Sequence, residues 1–299
     1  MDRPPDLAET SLTRGLLLIA LAAITWGTTG TVLKLAGAGG GSDPLVLGAS
    51  RLAVAAPLLL VASRRELDWR SLAFIPAGLC IAAYQLLYFS AVPRAGVAAT
   101  ALLAICSAPV FVAGLAVLVL RERLGLSKGI ALALGAAGGI LLGAGSTRPT
   151  AGFAAGVVLA LGAGLVYSLY LVATKRGTTA SSAASLAALT FTAAAVALLP
   201  VLALQPAATA SLWSRSWPLI LYLGAVPTAL AYRLFTAGLR HVAASSAAIV
   251  GLLEPLTATA LGLSLFAERL SPAGWVGAAL LLGAVVLLSR LRPAEALTS

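Results

Sequence analysis

Charged residues are scarce in this chain: they make up 10% of its 299 positions, against about 25% in a typical soluble domain. Apolar residues make up 60% of the chain, and the mean hydropathy is +1.00. The apolar residues fall in repeated blocks with short breaks between them. The sequence therefore predicts an all-α, polytopic membrane protein and leaves no room for a soluble domain between blocks.

Metal-binding and nucleophilic residues are also few. Cys80 and Cys106 lie inside apolar blocks without metal-ligand spacing, so we interpret both as small core residues. His241 is the single histidine and lies beside Arg240, which favours a solvated loop position over a metal site. The sequence has no Ser/His/Asp order and no nucleotide-binding loop. We predict no metal and no cofactor, and a gradient of substrate or protons as the driving force for any transport.

The few charges are mostly basic, giving a net charge of +10. In a soluble protein this would favour nucleic-acid binding, but here the cations lie in short breaks, where they set topology and meet anionic lipid. With the N-terminus inside, thirteen cations fall on the inner side and five on the outer side, which predicts a plasma-membrane protein with both termini in the cytoplasm. The inner set is Arg3, Arg14, Arg64, Arg65, Arg70, Arg121, Arg123, Lys128, Lys175, Arg176, Arg240, Arg290 and Arg292, and the outer set is Lys34, Arg94, Arg148, Arg215 and Arg269.

Ten apolar segments are long enough to cross about 30 Å of hydrocarbon at 1.5 Å per residue. The N-terminal segment before them is acidic and contains proline, and no small-residue cleavage site follows the first apolar run, so we interpret that run as a retained helix. The predicted segments are 14–36, 44–63, 71–91, 96–120, 127–145, 152–174, 183–204, 217–239, 243–267 and 272–291.

One of these stretches occurs twice. Residues 96–124 align without a gap on residues 242–270, so that Pro109 falls on Pro255 and the motif Glu122-Arg123-Leu124 falls on Glu268-Arg269-Leu270. The copies differ in mid-span, where the second has Glu254 and the first has Ala108.

The repeat divides the chain into two halves of five spans. A weaker match at an offset of 141 places Trp26 on Tyr167 and Lys34 on Lys175. An odd number of spans per half makes the halves insert in opposite orientations, as in secondary transporters that bind substrate near the midplane. An inverted-repeat channel is the alternative. We predict a tail at 1–13, repeats at 14–148 and 149–292, and a tail at 293–299.

These features resemble the EamA family of the drug/metabolite transporter (DMT) superfamily. The matching residues are Trp26-Gly27, Pro109 with Arg121-Glu122-Arg123-Leu124, Glu254-Pro255, and Glu268-Arg269-Leu270. The resemblance covers essentially the whole chain and implies two tandem five-helix repeats. It also implies export of amino acids, cysteine metabolites, purines or drugs. The aromatic residues inside the spans are similar to those of bacterial aromatic amino-acid exporters.

Glu254 is the only acidic residue in mid-span, where an ionised group is costly unless it is paired. It is a candidate proton site or partner of a substrate amine. The alternative is a structural carboxylate that pairs with Arg51 or Arg233, or that caps the backbone freed by Pro255. The two arginines are candidates for a substrate carboxylate, and for Arg233 we favour an extended position at the membrane edge.

Aromatic and hydroxyl side chains supply the other cavity candidates. Tyr84 and Tyr88 share one helical face with Gln85 between them, and Trp26, Tyr167 and Tyr170 also lie deep in spans, where a cavity wall would satisfy their polar atoms. Thr100, Ser245 and Ser246 begin the matched spans and are candidate donors to substrate, or bond to their own helices. Pro109 and Pro255 are candidate hinges, since a proline in a helix interior bends it.

Taken together, these features favour an inner-membrane exporter of small metabolites, with amino acids as the first expected class, that works by alternating access. The expected partners are a small-molecule substrate, the lipid bilayer and protons, with no nucleic acid. A drug or purine exporter, a membrane-embedded enzyme and a non-transporting membrane subunit are the alternatives.

Overall fold

The computed structural model describes residues 7–35, 43–143 and 152–290, and in these ranges every regular element is a helix. Twelve are α-helices: α1 (Leu7–Leu35), α2 (Pro44–Ser63), α3 (Ile75–Ala95), α4 (Val97–Leu115), α5 (Leu126–Gly143), α6 (Phe153–Gly177), α7 (Ala183–Leu204), α8 (Pro206–Gly224), α9 (Ala231–Leu239), α10 (Ala244–Val250), α11 (Leu253–Phe266) and α12 (Pro272–Ser289). A 3₁₀ helix covers Trp69–Phe74, and π-helical turns cover Ala116–Leu120 and Ala225–Leu230.

Ten stretches of the described residues have the length and apolarity needed to cross a bilayer. They are called spans one to ten and cover Thr10–Val32, Pro44–Ser63, Trp69–Ala95, Val97–Leu120, Leu126–Gly143, Phe153–Gly177, Ala183–Leu204, Pro206–Leu239, Ala244–Phe266 and Pro272–Ser289. The prediction of ten membrane-spanning helices is confirmed, with most boundaries within four residues of those predicted.

The start of span eight was predicted wrongly. The sequence predicts a break up to residue 217, but α8 begins at Pro206 and bends at Ser216, whose φ of −134° is not helical. Proline suits the first turn of a helix, where its missing N–H has no acceptor to bond. The bend at Ser216 lies two residues before Pro218, which likewise lacks an N–H for the helix ladder.

The helix packing follows a two-fold pattern between the halves. Span two packs against span seven and span five against span ten, each against its own counterpart. The contact between spans three and six has its counterpart in the contact between spans eight and one. The contact between spans four and six has its counterpart in the contact between spans nine and one. Glu122 at the end of span four contacts Ala244 at the start of span nine, so these matched spans run in opposite directions. The fold is therefore two inverted five-helix repeats.

The matched spans four and nine differ in continuity but end in the same turn. Helix α4 runs unbroken through Pro109, whereas span nine is interrupted at 251–252, directly before Glu254 and Pro255. Each span then ends in a left-handed residue at the same repeat position, Arg121 with φ 58° and Ala267 with φ 50°. The next N–H bonds to the carbonyl oxygen at the same repeat position in both copies, from Glu122 to Ala116 at 3.1 Å and from Glu268 to Gly262 at 3.2 Å.

Candidate functional site

Four tyrosines form a continuous aromatic row between spans three and six. The ring centroids of Tyr84 and Tyr88 lie 5.5 Å apart, as expected from their four-residue spacing. Tyr84 lies 5.7 Å from Tyr167, which lies 5.7 Å from Tyr170. Pairs at these distances are each worth about 0.5–1.5 kcal/mol beyond the burial of their surface. The row therefore brings together four of the candidate residues named from the sequence.

The row continues into spans eight and one through Tyr232. The Tyr232 ring lies 6.0 Å from Tyr170, 4.9 Å from Trp26 and 4.3 Å from Phe191 of span seven. Trp26 also packs against Phe235 at 5.3 Å. The central aromatic wall thus consists of Trp26, Tyr84, Tyr88, Tyr167, Tyr170, Phe191, Tyr232 and Phe235.

Sequence reasoning missed Tyr232, which joins the two halves of this wall. A signal was present, since Tyr232 is an aromatic residue next to the intramembrane cation Arg233. The position in the sequence favours a different role, because Tyr232 lies only seven residues before the end of span eight, where aromatic residues are typically interface anchors. The packing of span one against span eight places it in the core instead, with 8% of its surface exposed.

Arg51 of span two reaches the wall through Gln85. Its Nη2 donates to Gln85 Oε1 at 3.1 Å, and Gln85 is fully buried between the two tyrosines of span three. The Nε of Arg51 and the Nε1 of Trp26 are buried without a hydrogen-bond partner in the described chain. Buried donors are nearly always paired in folded proteins, so these two N–H groups favour a site that binds a polar ligand.

Glu254 lies at the centre of this arrangement. Its carboxylate interacts electrostatically with Arg51, with tyrosines of spans three, six and eight, and with Cys106 of span four. A group surrounded from five other spans faces the bundle interior and not lipid. Within the described ranges, no cation lies within 4.0 Å of it and no side-chain hydrogen bond holds it.

The absence of a side chain at Gly27 permits span one to approach Glu254. A Cβ atom at Gly27 would lie 2.7 Å from the Glu254 backbone oxygen and 2.6 Å from the Thr257 Cβ. Both contacts are shorter than van der Waals packing allows. The motif Trp26-Gly27 therefore combines an indole of the aromatic wall with a close helix contact at the Glu254 backbone.

Arg233 does not join the central group. Its guanidinium donates to the Ala62 carbonyl oxygen at 3.0 Å and lies 3.4 Å from Glu66 Oε1, in an exposed position at the end of span two. The arginine stem lies along the bundle while its charged group reaches the edge. The position corresponds to the membrane-edge interpretation favoured for this residue from the sequence.

Thr100 lies near the start of span four, and Ser245 and Ser246 lie near the start of span nine. These positions are away from the central group. Ser245 is about 13 Å from Glu254 along the helix axis at 1.5 Å per residue, and its Oγ donates to Glu122 Oε2 at 2.6 Å. The hydroxyls of Thr100 and Ser246 are buried and have no partner among the described residues. The geometry gives none of the three a contact with the aromatic wall.

His241 lies at the end of the bundle that carries Glu122. Its Nδ1 lies 2.8 Å from Ser11 Oγ of span one, so it is less solvated than a free loop residue. Burial and the positive charges of Arg14, Arg240 and Lys175 lower the pKa of its imidazole. In the part of the chain that the structure describes, no group of three or more His, Cys, Asp or Glu residues is placed to hold a metal ion.

The central group combines one carboxylate, one guanidinium and a wall of rings. A carboxylate accepts hydrogen bonds from an ammonium group, and a guanidinium donates to a carboxylate. Aromatic rings pack against planar or apolar side chains. The arrangement matches a zwitterion with an apolar or aromatic side chain.

Comparison with known proteins identifies the family. The model of the EamA-like transporter family matches residues 13–144 and again residues 154–290. The chain is 38% identical over 278 residues to the "Uncharacterized transporter YwfM" of Bacillus subtilis, covering 91% of this chain and 93% of that protein. It is 31% identical over 200 residues to an "Uncharacterized transporter" of Archaeoglobus fulgidus, covering 67% of this chain and 70% of the relative.

The fold also matches a solved structure. A crystal structure superposes with a TM-score of 0.76 at 20% identity, covering 92% of this chain and 96% of the other. At that identity the likeness concerns the fold alone. The two family matches span both halves of the chain, and both relatives carry the name of transporter. The chain therefore belongs to the EamA-like transporter family and is a multi-pass membrane transporter.

Proposed function

We propose that this transporter exports amino acids, aromatic ones first and other neutral ones more weakly, across the plasma membrane by alternating access, with both termini in the cytoplasm. The observation that carries the proposal is the unpaired Glu254 carboxylate, which interacts electrostatically with Arg51 and with the tyrosines of the aromatic wall. An α-amino acid presents an ammonium and a carboxylate a few ångströms apart, so it supplies a partner for each charge. The wall then selects the side chain.

The proposal assigns separate roles to the candidate residues. Glu254 binds the substrate ammonium or, in the substrate-free state, a proton. Arg51, held by Gln85, binds the substrate carboxylate, and the Nε1 of Trp26 donates a further hydrogen bond. Tyr84, Tyr88, Tyr167 and Tyr170 contact the side chain. The repeats remain assigned to 14–148 and 149–292, with tails outside them.

Purine export is a second candidate, favoured by the number of rings in the wall. A purine is planar and stacks on aromatic side chains as an aromatic amino acid does. The Arg51–Gln85 pair offers donors to a heterocycle edge. A purine, however, has no ammonium group to neutralise Glu254.

A flux panel in sealed proteoliposomes tests the proposal. Vesicles loaded with unlabelled phenylalanine, tyrosine, alanine, adenine or a sugar are placed in labelled compound, and counterflow uptake is measured. We expect uptake of the aromatic amino acids, weaker uptake of alanine and none of the sugar. Uptake of adenine alone would select the purine alternative, and uptake of none of these compounds would contradict both.

The variants Tyr84→Ala and Tyr88→Ala test whether the aromatic wall contacts the substrate side chain. Losing one aromatic contact of about 0.5–1.5 kcal/mol corresponds to a loss of roughly twofold to tenfold in binding of an aromatic substrate. Alanine uptake should change less, because its methyl group does not reach the rings. The matched control is Tyr84→Phe, which keeps the ring and should retain most of the activity. Equal losses for phenylalanine and alanine uptake would indicate a structural role instead.

A further inference from the structure

Glu122 ties the end of span four to the beginning of span nine. Its side chain is 2% exposed and accepts three hydrogen bonds: from the backbone N–H of Ala244 at 2.6 Å, from the backbone N–H of Ser245 at 3.2 Å and from Ser245 Oγ at 2.6 Å. The first N–H groups of a helix have no acceptor within it, and a carboxylate there is stabilised by the helix dipole. The contact joins the first half of the chain to the second.

Glu268 occupies the same repeat position at the opposite end of the bundle. The turn that presents it has the same left-handed residue and the same backbone hydrogen bond as the turn of Glu122. Its side chain is nevertheless 54% exposed, and its Oε1 lies 2.7 Å from Lys34 Nζ. An exposed ion pair of this kind contributes little to stability. One repeated element therefore has two different environments.

The segment that Glu268 would hold is free of it here. By the repeat, Ala98 and Ala99 correspond to Ala244 and Ser245. Ala98 is exposed, whereas Ala244 is fully buried, and no side chain caps the N-terminus of span four. The spans are therefore joined at the Glu122 end and separated at the Glu268 end.

From this asymmetry we infer that Glu122 and Glu268 are the two latches of the transport cycle, each closed when the other is open. In the opposite state Glu268 leaves Lys34 and accepts the N–H groups of Ala98 and Ala99, while Glu122 releases Ala244 and Ser245. The inference rests on the proposed alternating access. With the predicted orientation, the state described here is closed to the cytoplasm by Glu122.

Each latch has a lysine beside it for the open state. Lys34 pairs with Glu268 now. Its repeat counterpart Lys175 donates to the Leu239 carbonyl oxygen at 3.0 Å and already interacts electrostatically with Glu122. A released Glu122 therefore has Lys175 as its next partner, as Glu268 has Lys34. Exchange of partners keeps each carboxylate solvated or paired throughout the cycle.

Distances between spin labels at the two ends test the latches. One label pair, Arg123→Cys with Arg240→Cys, reports on the Glu122 end, and another, Val97→Cys with Arg269→Cys, reports on the Glu268 end; all four positions are exposed. Pulsed electron–electron double resonance on the labelled protein in lipid nanodiscs gives the distance distribution of each label pair, and from it the population of each state. We expect Glu122→Gln to lengthen the first distance, shorten the second, and shift the ratio of states about tenfold to a hundredfold, since hydrogen bonds to a charged group are lost.

The double variant Glu122→Gln/Glu268→Gln decides between a latch and a merely structural carboxylate. If Glu268 holds the opposite state, its removal returns the distances toward those of the unmodified protein. A double variant that stays in the shifted state, or a Glu122→Gln variant that does not shift, would overturn the inference. The native cysteines are first replaced by alanine, at Cys80 and Cys106.

Ser245→Ala is the milder variant if Glu122→Gln folds poorly. It removes one of the three hydrogen bonds and should shift the ratio of states in the same direction by a smaller factor. The matched control in the same span is Ser264→Ala, whose hydroxyl donates to the carbonyl oxygens of Ala260 and Leu261 in its own helix; it should leave both distances unchanged. Because the labels report conformation without substrate, a failed flux panel would contradict the proposed function and leave the latches standing.

Discussion

Replacing Glu254 by Gln is expected to lower amino-acid counterflow by a factor of about thirty or more. Truncating one partner of a desolvated charge pair typically costs about 2–5 kcal/mol, and about 1.4 kcal/mol is tenfold in binding. Glu254 lies among side chains of five other spans with no cation within 4.0 Å in the described chain, so the substrate ammonium is its expected partner. Glutamine keeps the shape and removes the charge.

The control for this variant is Glu66→Gln, which removes an exposed carboxylate whose ion pair with Arg233 is 3.4 Å long. Such a pair contributes about 0–1 kcal/mol, so flux should stay close to that of the unmodified protein. If Glu254 carries only a coupling proton, Glu254→Gln keeps exchange at equal pH and loses the response to an imposed pH gradient. Unchanged flux in both assays would show that Glu254 is a structural carboxylate.

Replacing Pro255 by Ala is expected to lower flux about tenfold or more and to change substrate affinity much less. Proline lacks the N–H that would bond to the carbonyl oxygen four residues earlier, at Gly251, and span nine is interrupted there. Alanine restores that N–H and favours a straight helix by about 3 kcal/mol. A straight span nine cannot absorb the backbone change that opens one end of the bundle while the other end closes.

Pro109→Ala is the companion variant, because α4 already runs through Pro109 without interruption in this state. It should leave this conformation intact and disfavour the opposite one, in which span four is expected to be interrupted at Pro109 as span nine is interrupted before Pro255 here. Equilibrium binding by calorimetry and counterflow rates separate affinity from turnover. If the double variant Pro109→Ala/Pro255→Ala folds and transports at the original rate, the prolines are not hinges.

The membrane-spanning architecture could be predicted from sequence because lipid imposes a simple condition. About 20 consecutive apolar residues are needed to cross the hydrocarbon, and every backbone polar group must be bonded inside the helix. The repeat, in which Pro109 corresponds to Pro255, divides the chain into halves of five spans each. An odd number of spans per half predicts that the halves are inverted. Glu254 was recognisable because an acidic residue at mid-span is costly wherever the other spans lie. The first part of span eight, residues 206–216, was predicted as a loop. Pro206 and Arg215 are residue types typical of the segments between spans, and the sequence alone does not show the packing that makes this segment helical.

Only the tertiary structure decided which residues meet. Tyr232 joined the aromatic wall because span one packs against span eight, a contact between residues about 200 positions apart. Glu122 and Glu268 share the motif Glu-Arg-Leu and the same turn, so the repeat predicts the same environment for both. Their difference, one carboxylate buried on three donors and the other exposed beside Lys34, comes from contacts that the first half of the chain makes with the second at one end of the bundle and not at the other. Such contacts join residues more than 100 positions apart, so they depend on how whole helices pack and not on any local pattern.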